Sequence, residues 1–349
     1  MKGISLFAGC GGDTLGMINA GIDVVAYVEK ERVFQETHDA NFKACKLLGS
    51  DVSKVSDADF LKFKDIVDII FAGFPCQGFS HAGKKLPDDP RNTLFREFAR
   101  AVSLIKPKYF IGENVKGLLT RKTSDGQLYI DIIKKEFEDM GYFIAYKVLK
   151  ANEYGVPQKR ERLIIIGTKL SKELKFPEPT SAAQSPNLKN IIKFNMKGAL
   201  KIEKEHYDMR NEIPACCILK DCRNKENEND PHPFLKLRGL AKDFVYNGKT
   251  YPNLISFGKR SSGNNIEVID IRNPSKTIIC TYNHQPRLFV PLQNKTGYFL
   301  RCLLPDELKQ IQGFPPNFTL CGNTKQKIVQ IGNAVPPPLI KAVVKALIE

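Results

Sequence analysis

A short apolar run at residues 3–7 passes through Gly9-Cys10-Gly11-Gly12 straight into a helical stretch at 13–20, and a second apolar run follows at 24–28. A strand that enters a helix through clustered glycines and returns as a strand is a βαβ unit. Glycines at such a turn let the backbone fold tightly and leave helix N-terminal amides facing a ligand. The spacing is not Gly-x-x-x-x-Gly-Lys-[Ser/Thr], which argues against an NTPase. Further apolar runs at 67–72, 109–112, 143–149 and 163–167 alternate with helical spacing such as 125–140. The pattern predicts an α/β fold with a doubly wound, mostly parallel sheet.

After about residue 170 the pattern changes. Prolines fall at 177, 179 and 186, residues 223–230 are polar, and short β-like runs occupy 186–290 without a clear helix. Helical patterns resume at 304–313 and at 336–348, the last opened by prolines. The expected division is a catalytic and cofactor-binding domain from 1–185 plus 320–349, a smaller irregular β-rich domain at 186–290, and a hinge at 291–319.

The net charge is +15, and it is uneven. Residues 1–167 carry 25 Lys+Arg against 22 Asp+Glu, and residues 168–349 carry 28 against 16. The second part is therefore the one expected to meet a polyanion. The nine cysteines show no Cys-x-x-Cys spacing, which fits reduced thiols in a cytosolic or nuclear compartment. No apolar run of 18 residues and no signal-peptide pattern is present, so a membrane location is not expected.

Five further features follow along the chain, the first three at strand ends. Glu29 and Asp51 are strand-end carboxylates of the kind that bond a nucleoside. Gly73-Phe74-Pro75-Cys76-Gln77-Gly78-Phe79-Ser80 follows a buried run and offers a cysteine nucleophile on a loop. Glu113-Asn114-Val115 ends the next run. In Gln158-Lys159-Arg160-Glu161-Arg162, strand alternation would put Arg160 and Arg162 on one face, aimed at one anion. Gln330-Ile331-Gly332-Asn333-Ala334-Val335 is a turn before prolines.

In this order the set resembles the cytosine-C5 DNA methyltransferase family of the bacterial restriction-modification type. Arg301-x-x-Leu304 followed by Gln310-Ile311-Gln312-Gly313-Phe314-Pro315 matches the family's penultimate motif. The likeness covers 1–167 and about 298–349 well and 175–295 poorly. It implies a Rossmann-like methyltransferase domain, S-adenosylmethionine as cofactor, no metal, and double-stranded DNA as partner. It also implies a monomer, a separately acting cognate restriction endonuclease, and a cytoplasmic, nucleoid-associated location.

The resemblance assigns Cys76 as the nucleophile that adds to cytosine C6, and Glu113 as the group that relieves charge at N3. One of Arg160 and Arg162 would reach the cytosine O2, and the other would order the catalytic loop or a phosphate. Phe7, Gly9, Cys10, Gly12, Glu29, Asp51, Pro75, Leu94, Asn333 and Val335 would surround the cofactor. Position 5 is Ser where many relatives carry Asp, so no carboxylate is assigned there to the cofactor's ammonium.

The chemistry agrees with these residue types. C5 of cytosine is a poor nucleophile until a thiolate has added to C6, and only the thiolate is nucleophilic enough to do so. A duplex hides both carbons, so the base must be flipped out. Residues 79–91 would form a loop closing over the DNA, with Gln77, Ser80, Lys84 and Lys85 as DNA contacts. Residues 186–290 would read the sequence, through basic residues that include Arg260 and through the loop from Thr281 to Arg287, while Thr277 resembles the family's phosphate-contacting threonine. The competing readings are a tRNA methyltransferase of the same family and a catalytically inactive DNA-binding relative.

Overall fold

The computed structural model describes residues 1–75, 94–170, 173–180, 186–202, 267–283 and 287–349, and the backbone of short strands at 219–220, 237–241, 244–246, 249–251 and 254–257. Its centre is a seven-stranded sheet in the order β3-β2-β1-β4-β5-β8-β6. The strands are β1 (Lys2–Leu6), β2 (Asp23–Val28), β3 (Lys46–Gly49), β4 (Ile69–Ala72), β5 (Tyr109–Asn114), β6 (Phe143–Lys150) and β8 (Glu161–Thr168). The first five run parallel; β8 is antiparallel to β5 and to β6. The chain moves outward from β1 to β3 and then crosses to β4 on the other side of β1. Ligands of open α/β sheets bind beyond the strand ends at this reversal of direction.

Helices cover both faces. On one, α1 (Gly12–Asn19) packs on the C-terminal helix, α8 (Pro337–Ile348). Leu339, Ile340, Val343, Val344 and Leu347 make a buried stripe along α8 at helical spacing. Gly16 brings the two helices together, because a Cβ there would stand 2.6 Å from the Ile340 Cβ. On the other face, α4 (Leu94–Ile105) buries Phe95, Phe98, Val102 and Ile105, and α5 (Tyr129–Glu138) buries Ile130, Ile133 and Phe137. Phe110 of β5 stacks on Phe137 at 4.3 Å and meets Phe98 edge-on at 5.6 Å. Central β4 and β5 are buried throughout, as strands covered on both faces must be.

The helix expected at 125–140 begins later. Gly126 has φ +89° and the amide of Thr123 donates to the Gln127 carbonyl, so the residues before Tyr129 form a tight turn. Between α1 and α4 lie α2 (Arg32–Asn41) and the short α3 (Asp57–Leu61).

A second, smaller sheet has five strands. Its spine is the hairpin β17 (Leu288–Asn294) and β18 (Gly297–Cys302), flanked by β9 (Leu200–Ile202), β10 (Leu219–Lys220) and β15 (Glu267–Val268). Two antiparallel pairs stand apart: β11 (Leu237–Ala241) with β14 (Leu254–Phe257), and β12 (Phe244–Tyr246) with β13 (Lys249–Tyr251). A separate core of Ile269, Ile278, Tyr282, Phe289, Val290 and Leu300 also takes in Ile311 of α6 (Pro305–Ile311) and Ile331 of α7 (Thr324–Asn333). Residues 291–319 thus divide between the small sheet's hairpin and α6.

Residues Thr324–Ile348 together are long and apolar enough to cross a membrane by length and composition. They form two helices, α7 and α8, separated at Ala334-Val335-Pro336, with buried faces in the two cores.

Gly332 lets α7 lie directly on the backbone of the small domain, since a Cβ there would sit 2.5 Å from the Cys280 Cα and 2.6 Å from the Ile279 carbonyl carbon. Neither atom is the end of a flexible side chain. Gly332→Ala is expected to destabilise the protein by about 1–3 kcal/mol through overpacking, measured by chemical denaturation. An unchanged midpoint would mean that the two segments are not pressed together.

Candidate active site

The turn after β1 departs from ordinary backbone three times, with φ +58° at Phe7, +57° at Gly9 and +88° at Gly11. Its glycines do different work. Gly11 is crowded by Phe42 and His38, and Gly12 by the Val335 carbonyl, so packing alone forbids a side chain at either. At Gly9 the Cβ direction opens into space.

Glu29 at the end of β2 ties this turn to the next. Its Oε2 accepts from the Gly9 amide at 2.7 Å and its Oε1 from the Glu31 amide at 2.8 Å. Burial pushes its carboxyl up, against the pull of those amides. Asp51 caps the 3-10 turn Val52–Lys54, accepting from the Ser53 amide at 3.1 Å and hydroxyl at 2.8 Å, with Lys30 Nζ at 3.5 Å. The Ser53 hydroxyl, then its amide and Lys30, hold the Asp51 carboxyl below its usual range.

Cys10 points away from the turn, its thiol donating to the Gln330 carbonyl at 3.7 Å, and burial raises its ionisation well above the ordinary thiol range. Phe7, Pro75 and Leu94, the last at the start of α4, are half-buried. Asn333 ends α7 exposed, and Val335 is buried against Gly12.

Sequence reasoning passed over one carboxylate here. Asp13, in the first turn of α1, is 3% exposed and accepts from the Ser5 hydroxyl of β1. An acid therefore stands beside position 5, contributed by the helix instead of the strand. The pairing is not visible in sequence, because only the fold brings residue 13 back over residue 5.

The centre of the site lies at the ends of β5 and β8. Glu113 pairs with Ile164 across these antiparallel strands, and Arg162 is the diagonal neighbour on the same face. Arg162 Nε meets Glu113 Oε1 at 2.9 Å, and Arg162 Nη1 donates to the Glu161 carbonyl at 2.7 Å. The other carboxylate oxygen of Glu113 is 3.8 Å from where a Cβ on Gly73 would be, so the acid reaches over the start of the Gly73-Phe74-Pro75 loop. Asn114 fixes that loop: its Nδ2 donates to the Phe74 carbonyl at 3.2 Å, and its Oδ1 accepts from the Val115 amide at 2.8 Å.

The two arginines do not share an anion. The strand is interrupted between β7 (Gln158–Lys159) and β8, with Arg160 in the break, so strand alternation fails there. Arg160 turns inward to 2% exposure and donates to three carbonyls, of Ile278 at 3.2 Å and of Gly332 and Ala334 at 3.1 Å each. Beside it, Gln158 Nε2 donates to Gln312 Oε1 at 2.6 Å, the Ile278 amide donates to Gln158 Oε1 at 2.9 Å, and Gln312 Nε2 donates to the Ala334 carbonyl. One buried network thus unites the residues around 158, 278, 312 and 334.

Thr277 lies on this junction, where β16 (Ser275–Lys276) pairs with β7, and its hydroxyl donates to the Lys159 carbonyl at 2.8 Å. Arg287 is half-buried just before β17. Cys76, Gln77, Ser80, Lys84, Lys85 and Arg260 lie outside the described residues, as do the expected closing loop and most of the expected reading segment. Among the described residues no group of three or more His, Cys, Asp or Glu side chains is placed to hold a metal ion.

The comparisons with known proteins agree with this geometry. The family model for the C-5 cytosine-specific DNA methylase matches residues 1–349. The chain is 34% identical to the Type II methyltransferase M1.HphI of Haemophilus parahaemolyticus, over 99% of this chain and 86% of that one. It is 35% identical to the Type II methyltransferase M.PspPI of Psychrobacter, over 99% and 78%. Among solved structures, a putative DNA modification methyltransferase encoded in an Escherichia coli prophage matches with TM-score 0.65 and 24% identity, covering 100% of this chain and 98% of that one. The S. pombe Dnmt2 methyltransferase shares the fold with TM-score 0.68 at 14% identity, with the same coverage.

Burial raises the Asp13 carboxyl to about 7, with Glu29 adding to the rise and the Ser5 hydroxyl opposing it. The folded state holds this proton more tightly than the unfolded chain does. Its stabilising contribution is therefore complete below about pH 4 and is lost as pH rises through about 7. Asp13→Asn, which cannot ionise, is expected to gain on the wild type by several kcal/mol, on the order of 1.4 per unit, between those pH values. Urea denaturation across that range measures the difference, and a pH-independent difference would overturn the assignment.

Proposed function

The chain belongs to the C-5 cytosine-specific DNA methylase family, and from that premise we propose that it methylates C5 of a cytosine flipped out of a specific double-stranded DNA sequence, through a covalent bond between Cys76 and C6. The observation that carries this reading is the pair of buried Glu113 and half-buried Arg162 at the carboxyl end of β5, with the acid reaching over the loop that leads to Cys76.

Each step assigns work to a residue. The Cys76 thiolate adds to C6, and the electron pair of the C5–C6 bond becomes available at C5. Negative charge built on the ring is relieved at N3 by Glu113 through a shared proton. Arg162 holds the Glu113 carboxyl in place at 2.9 Å and is the arginine left to face the cytosine O2, because Arg160 is committed to three backbone carbonyls. After methylation, loss of the C5 proton to water and departure of the thiolate from C6 restore the aromatic ring. Asn114, by holding the Phe74 carbonyl, sets the approach of the cysteine loop.

The residues fit S-adenosylmethionine. The turn at Gly9 opens into space, Glu29 and Asp51 end adjacent strands, and the α1 N-terminus points into the same region. Glu29 would hold the ribose hydroxyls, Asp51 the adenine amine, and Phe7, Pro75, Leu94, Asn333 and Val335 the remaining walls. Gly12 and Cys10 would contribute backbone only, since their side-chain directions are filled by the C-terminal segment. When bound, this cofactor supplies an electrophilic methyl group. The chain would work as a monomer on cytoplasmic DNA, alongside a separate restriction endonuclease.

A duplex carrying 5-fluorocytosine at the target position tests the mechanism, because fluorine blocks loss from C5 and arrests the adduct. A covalent complex stable to denaturing gel electrophoresis is expected with the wild type and not with Cys76→Ala. Turnover by Cys76→Ala near the wild-type rate would refute the nucleophile assignment. Glu113→Gln is expected to slow single-turnover methylation by about 10²–10⁴-fold. Capture of the fluorinated base in tRNA but not in duplex DNA would point to the RNA-modifying branch instead.

A further inference from the structure

Lys30 and Asp51 meet because of strand register. β2 and β3 run parallel with Val28 beside Gly49, so the residues two places further along each strand come together where the strands end. Lys30 Nζ lies 3.5 Å from Asp51 Oδ2. The other oxygen, Oδ1, accepts from the Ser53 amide at 3.1 Å and the Ser53 hydroxyl at 2.8 Å. Both oxygens of the carboxylate assigned to the adenine amine are therefore engaged by the chain itself.

The two engagements differ in strength. The Ser53 bonds close a local turn, with Asp51 as the N-cap of Val52–Lys54. The Lys30 side chain is 75% exposed, and its contact is longer than an ordinary charge-assisted hydrogen bond. An exposed pair of this kind is weak and is screened by salt. Lys30 also follows Glu29 directly. That carboxylate is fixed by the Gly9 and Glu31 amides, and the Glu29 carbonyl accepts from Gln35 Nε2 at 2.6 Å. A loosely held cation thus stands between two firmly held carboxylates.

We propose that Lys30 is a displaceable cap on the adenine subsite: it releases Asp51 Oδ2 to the 6-amino group of the cofactor's adenine and closes on it again when the nucleoside leaves. The proposal rests on the cofactor reading above. Ser53 keeps the carboxylate oriented throughout, so only the lysine side chain has to move. Lys30 then sets affinity, because its pair with Asp51 opposes the binding of S-adenosylmethionine and of the product S-adenosylhomocysteine alike.

The test is calorimetric titration of the full-length protein, over a range of potassium chloride concentrations, with two ligands. One is S-adenosylhomocysteine, and the other is its analogue with unsubstituted purine in place of adenine, which lacks the 6-amino group. Lys30→Met keeps the apolar stem and removes the ammonium. It is expected to bind S-adenosylhomocysteine about 2–5-fold more tightly than the wild type at low salt, the size of one exposed ion pair. That difference is expected to shrink as salt screens the wild-type pair, and to be absent with the purine analogue. Lys30→Arg, which keeps a cation, is expected to behave as the wild type. Unchanged or weaker binding by Lys30→Met, or equal tightening toward both ligands, would overturn the cap. Undiminished affinity of Asp51→Ala for S-adenosylhomocysteine would instead refute the adenine assignment of Asp51, and a wild type that binds neither ligand would refute the cofactor reading on which the proposal rests.

Discussion

One guanidinium holds the two halves of this protein in register. Arg160 sits in a break between strands and donates to carbonyls of Ile278 in the small domain and of Gly332 and Ala334 near the C-terminus. A buried cation is costly unless hydrogen-bonded, and here Nη1 and Nη2 find carbonyls while Nε finds none among the described residues, so losing any of the three segments would raise that cost. Gln158 and Gln312 extend the same arrangement through paired amides. The segments that Arg160 joins lie 118, 172 and 174 residues from it in the chain.

The Glu113–Arg162 pair depends on a second constraint, the direction of β8. Were β8 parallel to β5, residues 113 and 162 would lie at opposite ends of the sheet. The antiparallel register sets Glu113 against Ile164 and so brings Arg162 diagonally onto the carboxylate. Arg160 would have followed on the same face, and the break before β8 redirects it into the interior. Two arginines two residues apart thus do unrelated work: one holds the Glu113 carboxylate, and the other bonds three backbone carbonyls from distant segments.

Most of the catalytic half was legible in the sequence because its strands are buried runs bounded by glycine, proline and strand-end acids. Glu29, Glu113 and the turn at Gly9 follow from that punctuation. The helices α2 and α4 carry no comparable boundary signal, and α7 was hidden by the turn motif at its own end. The Asp13–Ser5 bond and the carbonyl clamp on Arg160 could not be read, since each joins residues that only the fold makes neighbours. Motif reading also treats Gly11 and Gly12 as ligand-facing, whereas Phe42 and the Val335 carbonyl fill their side-chain space. A glycine pattern alone does not tell a close approach to a ligand from a close approach to the protein itself.

The basic excess of the second half has the same ambiguity. Arg301 is fully buried, bidentate with Glu307 at 2.7 Å on both oxygens, and bonded to the carbonyls of Lys193, Asn195 and Cys302. Lys309 is likewise turned in, donating to the Pro316 and Phe318 carbonyls. These cations cannot meet DNA, although the net charge counts them equally with those on the surface. Only cations held at the surface can act on a polyanion, and the net charge does not tell them from these. Charge in this chain divides into cations that brace the fold from within and cations that face solvent, and burial, not composition, assigns each residue to its group.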